Sequence, residues 1–133
     1  MSLLNKRRSI LFLLLATLYV GLFVLRADGG FPLDDSWIHQ SYGRNLGTAG
    51  EWALIPGQPS AASTAPLYTV LLAMGYAVRL PFAVWTHLLG LLALWGTAVF
   101  AARLGDRLAP DLRYGGLLAG VLVVSTWQLV WAG

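Results

Sequence analysis

Two adjacent carboxylates, Asp34 and Asp35, are the residues in this sequence best suited to chemistry. They are the only acidic residues that stand side by side, and they follow the first long apolar run of the chain. A carboxylate can accept a proton from an attacking hydroxyl as a general base. Two carboxylates can also hold a divalent cation that neutralises a phosphate leaving group. The simpler interpretation is that one of them caps a helix and the other is solvated.

Two further polar residues follow the acidic pair. Arg44 can bind a phosphate through two parallel hydrogen bonds, and its alternative role is a surface arginine that reaches toward headgroups. His39 lies one helical turn after Asp35 and can share a site with it, and its alternative role is a solvated helix histidine. Trp37 and Tyr42 are expected to anchor the same helix at a membrane interface.

The composition indicates an integral membrane protein. The chain is 57% apolar and 11% charged, whereas a soluble domain carries roughly 25% charged residues. The charges are segregated, with long uncharged runs between them. The net charge of +3 is therefore a topology signal, and no nucleic acid is expected as a partner. The absence of cysteine excludes a disulfide framework and a thiolate metal site.

Three apolar runs predict an all-α integral membrane fold with three transmembrane helices, at about residues 9–26, 82–102 and 114–132. Residues 27–80 then form a first outer loop with two surface, or juxtamembrane, helices. For the first run the alternative is a cleaved signal peptide, but the run is longer than usual and lacks a good cleavage site. The pair Gly116 and Gly120 can permit close contact between helices.

Local signals predict the helices of the outer loop and the hairpin between the second and third spans. The first surface helix begins at the acidic pair and ends near Thr48, and residues 51–64 are expected to be loop. The second begins at Pro66, which suits a first helical turn, and its apolar stretch 67–78 is short enough for a buried or re-entrant helix. Residues 103–113 are predicted to form a short charged hairpin.

The basic residues predict the orientation in a cell membrane. Lys6, Arg7 and Arg8 precede the first run, and a second basic cluster lies between residues 103 and 113. Positive clusters favour the cytoplasm, and two spans between them leave both clusters on that side. The chain is thus expected to be a multi-pass membrane protein with a cytoplasmic N-terminus, an extracytoplasmic loop 27–80 and an outer C-terminus.

Beyond these local signals, the order of several short motifs resembles the first outer loop of polytopic glycosyltransferases of the GT-C fold. That superfamily includes branches similar to protein O-mannosyltransferases, aminoarabinose transferases and rhizobial lipopolysaccharide-core transferases. In it an acidic pair opens a surface helix, and a Pro-Gly turn and a Ser/Thr-x-Pro-Leu helix start follow. The resemblance covers roughly residues 8–133 and rests on Asp34-Asp35-Ser36-Trp37-Ile38, Tyr42-Gly43-Arg44-Asn45-Leu46, Pro56-Gly57-Gln58-Pro59 and Ser63-Thr64-Ala65-Pro66-Leu67-Tyr68. Gly43 departs from the more usual alanine.

The resemblance implies that residues 1–133 are the N-terminal part of a GT-C-like membrane domain. Such an enzyme transfers a sugar from a polyprenyl-phosphate donor to an acceptor at the outer face of the membrane. Asp34 would be the catalytic base, and Asp35 would assist it or help to bind a divalent cation or the donor phosphate. Arg44 and His39 would be candidate substrate-binding residues. Membrane lipid and the remainder of a longer chain, or other membrane subunits, are the further partners expected.

Two other functions fit the same sequence. The first is a non-catalytic small membrane protein, either an assembly subunit or an inactive remnant, which the short length favours because GT-C enzymes have many more spans. The second is a fragment of a transporter or channel. The nearly uncharged predicted spans argue against the second, because transport pathways usually carry paired ionisable groups.

Overall fold

The computed structural model describes residues 3–27 and 34–126, with side chains for 5–27 and 35–126. These residues form five helices and one two-stranded antiparallel sheet. The predominantly helical prediction is therefore confirmed, with one small hairpin that was not expected. The elements are α1 (Leu3–Arg26), α2 (Asp34–Ala49), β1 (Ala53–Ile55), β2 (Gln58–Pro59), α3 (Pro66–Ala77), α4 (Phe82–Leu108) and α5 (Gly115–Val124).

The chain divides into two compact units, the first of which comprises residues 1–28 and 87–133. In the described part of this unit, α1, α4 and α5 pack around one apolar core. The buried residues recur every three or four positions along α1 and α4, which is the spacing of one helix face. They are Phe12, Ala16, Val20 and Phe23 from α1, Leu94, Ala98 and Ala102 from α4, and Val124 from α5.

The predicted close contact at Gly116 and Gly120 is present in this unit. Both glycines are buried. A Cβ atom on Gly116 would collide with the backbone carbonyl of Ala102 and the carboxylate of Asp106, and one on Gly120 would collide with the ring of Phe12. Helices without side chains at the contact can approach more closely, and here that lets α5 pack against both α1 and α4.

Polar contacts fix the direction of the helices at one end of the unit. Arg8 Nη1 forms an ion pair with Asp106 Oδ2 at 2.9 Å, and Trp95 Nε1 donates to the carbonyl of Ser9 at 3.0 Å. The start of α1 therefore lies beside the end of α4. As a result, the two basic clusters of the sequence are brought to the same end of these helices.

Two of the described helices, α1 and α4, are long and apolar enough to cross a membrane. Only 22% of each apolar window is buried within the protein, whereas the core helix of a water-soluble protein would be mostly buried. α5 has ten described residues, and the remainder of the predicted span 114–132 lies outside the described residues. The structure thus supplies two candidate spans where three were predicted.

The predicted charged hairpin at residues 103–113 begins too early. α4 continues through Arg103 and Arg107 to Leu108, so the charged turn begins later than predicted. Arginine and leucine are good helix formers, and the first proline on this side is Pro110. A change from apolar to charged residues marks where a helix could leave a bilayer, but it does not end the helix.

The second unit comprises residues 29–86. Its centre is the contact between α2 and α3, whose predicted limits agree with the structure within about one residue. Added Cβ atoms show how close the two helices are: one on Gly43 would lie 2.8 Å from Leu72 Cβ, and one on Gly47 would collide with the carbonyl of Ala73. Only glycine permits this approach.

α3 is buried along one face only. Thr69, Leu72 and Ala73 are buried, while the opposite side exposes an apolar stripe formed by Leu67, Val70, Met74 and Val78. α3 has 12 residues, fewer than the roughly 20 that a membrane-spanning helix needs, which agrees with the prediction that it is too short to span.

Residues 51–64 were predicted to be loop, but they contain the β1–β2 hairpin. Gly57 adopts a φ of +76° at its turn, directly after Pro56, and this Pro-Gly order suits a type II turn. The Glu51 carboxylate accepts a hydrogen bond from Gly57 N–H at 2.8 Å. The strands have three and two residues, too few for an alternating pattern to reveal them.

The α2–α3 contact can be tested at Gly47. We expect Gly47→Ala to destabilise the protein by about 1–3 kcal/mol, because the methyl group meets backbone that cannot move without separating the helices. Thermal unfolding in detergent would measure the change. Gly96→Ala is the matched control, since nothing lies within 4 Å of its added Cβ. Equal stability of the two variants would contradict the close packing.

Candidate functional site

The acidic pair stands at the beginning of α2, as predicted. Asp34 is the first residue of the helix, and its side chain lies outside the described residues. Asp35 is exposed in the first helical turn, and its carboxylate makes no hydrogen bond or ion pair with another described residue. An exposed carboxylate of this kind is accessible to a substrate or to a cation.

His39 occupies a different environment from Asp35, although one helical turn separates them. It is 8% exposed, and its Nδ1 atom lies 3.1 Å from Ser63 Oγ. Ser63 Oγ in turn lies 2.8 Å from Thr69 Oγ1. The expectation of a solvated helix histidine is wrong, because α3 and the segment before it cover this face of α2. His39 connects α2 to the start of α3.

Tyr42 is fully buried, so the expectation that it anchors α2 at an interface is also wrong. Its hydroxyl lies 2.6 Å from Ser60 Oγ and accepts a hydrogen bond from Ala62 N–H at 2.9 Å. Trp37, by contrast, is 47% exposed, and its interfacial role stays a prediction. The two rings point away from each other because five residues on a helix turn by about 500°.

A third polar group connects α2, α3 and the beginning of α4. Gln40 Nε2 donates to Thr86 Oγ1 at 2.5 Å, and Gln40 Oε1 accepts from the Tyr76 hydroxyl at 2.8 Å. Burial raises the pKa of Tyr76 above its ordinary value, an effect opposed by the positive charge of Arg44. Burial also raises the pKa of Tyr68. Both hydroxyls therefore stay protonated at neutral pH, as donation by Tyr76 requires.

Arg44 is exposed near the other end of α2. Its Nε atom lies 3.4 Å from Asn45 Oδ1. Nine residues separate it from Asp35, which corresponds to about 13.5 Å along a helix. The structure therefore does not bring Arg44 together with the acidic pair. A single phosphate group cannot contact both, although a sugar-phosphate of greater length could lie along the helix between them.

Asn45 holds the hairpin against α2. Its Nδ2 donates to the carbonyls of Ala53 at 2.8 Å and Leu54 at 3.2 Å, and the side chain is almost completely buried. Asn45 belongs to the segment Tyr42-Gly43-Arg44-Asn45-Leu46, and no role for it was predicted from the sequence. The serine and threonine partners of His39 and Tyr42 were also missed, because short polar residues in a loop give no signal of what they contact.

The described residues contain no group of three or more His, Asp or Glu side chains close enough to hold a metal ion. Any cation at the acidic pair would therefore need ligands from Asp34, from water or from a substrate. Magnesium is commonly held in this way, by one or two carboxylates together with phosphate oxygens.

No protein-family model, curated protein or solved structure matches this chain.

The role of Asn45 predicts the effect of an isosteric change. We expect Asn45→Asp to destabilise the hairpin by about 1–3 kcal/mol, because a buried carboxylate would face two carbonyls with no proton to donate. Hydrogen exchange at residues 53–59 would report the loss. Gln58→Glu is the matched control, since it makes the same change at an exposed position of the hairpin. Unchanged exchange in Asn45→Asp would show that the side chain does not hold the hairpin.

Proposed function

We propose that this chain is the N-terminal part of a membrane glycosyltransferase of the GT-C type, which transfers a sugar from a polyprenyl-phosphate donor at the outer membrane face. The observation that carries the proposal is the position of the acidic pair at the start of α2. This polar helix is the first element after a long apolar helix, and it is packed against α3, whose outer face is apolar. The carboxylates would thus stand at headgroup level.

The chemistry follows from the nature of the donor. A polyprenyl chain cannot leave the bilayer cheaply, since each buried methylene contributes about 0.8 kcal/mol, so its sugar-phosphate remains at the surface. Asp34 would accept the proton of an acceptor hydroxyl, whose oxygen forms the new bond to the anomeric carbon of the sugar. The bond from that carbon to the phosphate oxygen breaks, and polyprenyl phosphate leaves with the electron pair.

The other polar residues would support this reaction in different ways. Asp35 would stabilise the leaving phosphate through a bound divalent cation. Arg44, about 13.5 Å along the helix, would contact a distant part of the donor or a lipid headgroup. His39, Tyr42 and Asn45 would keep α2, the hairpin and α3 together, because their polar atoms are directed inward. Their role would be positional, without contact with the reacting atoms.

The acidic pair can be tested in the complete protein. We expect Asp34→Asn to lower the rate of sugar transfer by about 100- to 10,000-fold, the usual contribution of a general base, while membrane insertion is retained. Asp111→Asn is the control, since it removes an exposed carboxylate from the turn between α4 and α5. Transfer from a radiolabelled polyprenyl-phosphate sugar would be measured. Unchanged transfer by Asp34→Asn would exclude Asp34 as the base.

We propose the topology predicted from the sequence: three spans, a cytoplasmic N-terminus and an outer loop 27–80. The Arg8–Asp106 ion pair supports this orientation, because it unites the two basic clusters at one end of α1 and α4. The third span would require α5 to continue beyond its described residues.

The lack of cysteine makes this topology directly testable. A single Gln58→Cys substitution at the exposed hairpin should react with a membrane-impermeant maleimide added to intact cells. Arg113→Cys, in the turn between α4 and α5, should react only after the membrane is permeabilised. Reaction of the hairpin cysteine only after permeabilisation would overturn the orientation.

A non-catalytic membrane subunit is the second candidate function. It is favoured by the inward direction of the polar groups of α2 and α3, which hold the unit together and leave few groups for a substrate. The two functions differ in the outcome of Asp34→Asn. A subunit would keep its partner and its insertion unchanged in that variant, and no sugar transfer would depend on the carboxylate.

A further inference from the structure

The last three turns of α4 carry a shallow groove that the proposed reaction does not use. Its volume is about 490 Å³. One part of its wall is apolar and exposed, and the other carries two arginines. The lining residues are Thr97, Phe100, Ala101, Arg103, Leu104 and Arg107.

The two arginines are placed to bind one anion together. Arg103 and Arg107 are four residues apart on α4, so they share a face and are separated by about 6 Å along the axis. The guanidinium carbon of Arg103 lies 5.9 Å from the centre of the Phe100 ring. Stacking on a ring leaves the N–H edge of a guanidinium available for two parallel hydrogen bonds to a phosphate.

No described carboxylate neutralises this groove. The nearest acidic residue in sequence, Asp106, is turned away toward α1, where it pairs with Arg8. That is the only ion pair among the described residues. Both arginines of the groove are exposed, so their charges are directed outward beside the apolar side chains of Phe100 and Leu104.

The position of the groove along α4 matches the edge of a bilayer. Arg103 is 21 residues after Phe82, the first residue of the helix, which is about 32 Å at 1.5 Å per residue. The hydrocarbon core of a bilayer is about 30 Å thick. If α4 enters the membrane at Phe82, the two arginines reach headgroup level while Phe100 remains beside the acyl chains.

We propose that this groove binds one anionic phospholipid, with its phosphate on Arg103 and Arg107 and an acyl chain along Phe100 and Leu104. A free phosphate would use only the arginines and leave the apolar wall uncovered, whereas a phospholipid matches both parts. Basic residues just outside a span attract anionic headgroups in this way. The inference rests on the proposal that α4 crosses the membrane, and it is independent of sugar transfer.

Native mass spectrometry of the detergent-solubilised full chain would test the groove. The protein would be titrated with phosphatidylglycerol or phosphatidylcholine of identical acyl chains. We expect the wild type to retain phosphatidylglycerol with a preference of about tenfold or more, and Arg103→Gln/Arg107→Gln to lose that preference. Lys6→Gln/Arg7→Gln is the matched control, since it removes the same charge from exposed positions on α1 and should keep the preference.

Each other outcome would overturn a defined part of the inference. Equal loss in both double variants would show that net charge, and not the groove, selects the lipid. Displacement of the lipid by millimolar inorganic phosphate would show a site for free phosphate instead. Release of the protein from membranes by alkaline carbonate would overturn the membrane crossing itself. Retention in carbonate without any lipid preference would overturn the groove alone and leave the proposed function intact.

Discussion

The close approach of α2 and α3 is the constraint on which the arrangement of the candidate site depends. At Gly43 and Gly47 the backbones come so near that no side chain fits between them. This contact fixes the rotation of α2, and the rotation decides which side chains face inward. His39, Gln40, Tyr42 and Asn45 are therefore buried, while Asp35 and Arg44 face outward.

Once α2 is fixed in this way, its buried polar side chains need partners. A buried hydroxyl, amide or imidazole that lost its hydrogen bond would cost about 1–3 kcal/mol. The partners come from short polar residues of the segment between the hairpin and α3, such as Ser60 and Ser63. The polar side chains of that segment supply the hydrogen-bond partners that α2 lacks within itself. The acidic pair, in contrast, begins the helix and is left available at its exposed end.

The three helices of the other unit combine an apolar core with a polar end. The core residues are aliphatic or phenylalanine, and the glycines of α5 allow it to contact both neighbours. Arg8 and Asp106 neutralise each other where the helices end. An ion pair at an exposed end contributes little to stability, so its main consequence is to align the ends of α1 and α4. The remaining arginines of α4 keep their charge on the outer surface.

The sequence by itself determined most of the elements and their approximate limits. The apolar runs predicted α1 and α4, the acidic pair and Pro66 predicted the starts of α2 and α3, and the two glycines predicted the close packing of α5. These features depend on local periodicity and on single residues with strong conformational preferences. The β1–β2 hairpin was missed because its strands are too short to show a period, and the predicted hairpin at residues 103–113 began too early because a helix does not stop where charges begin.

Only the tertiary structure decided which residues of α2 are buried. A histidine or tyrosine on a polar helix can be solvated or enclosed, and nothing within the helix distinguishes the two cases. His39 and Tyr42 are enclosed because α3 and its preceding segment, more than fifteen residues away in sequence, pack on their face. The pairing of Asp106 with Arg8, 98 residues apart, was likewise decided only by the fold. Long-range contacts of this kind leave no periodic signal, because the partner of each group is set by the fold and not by its neighbours in the chain.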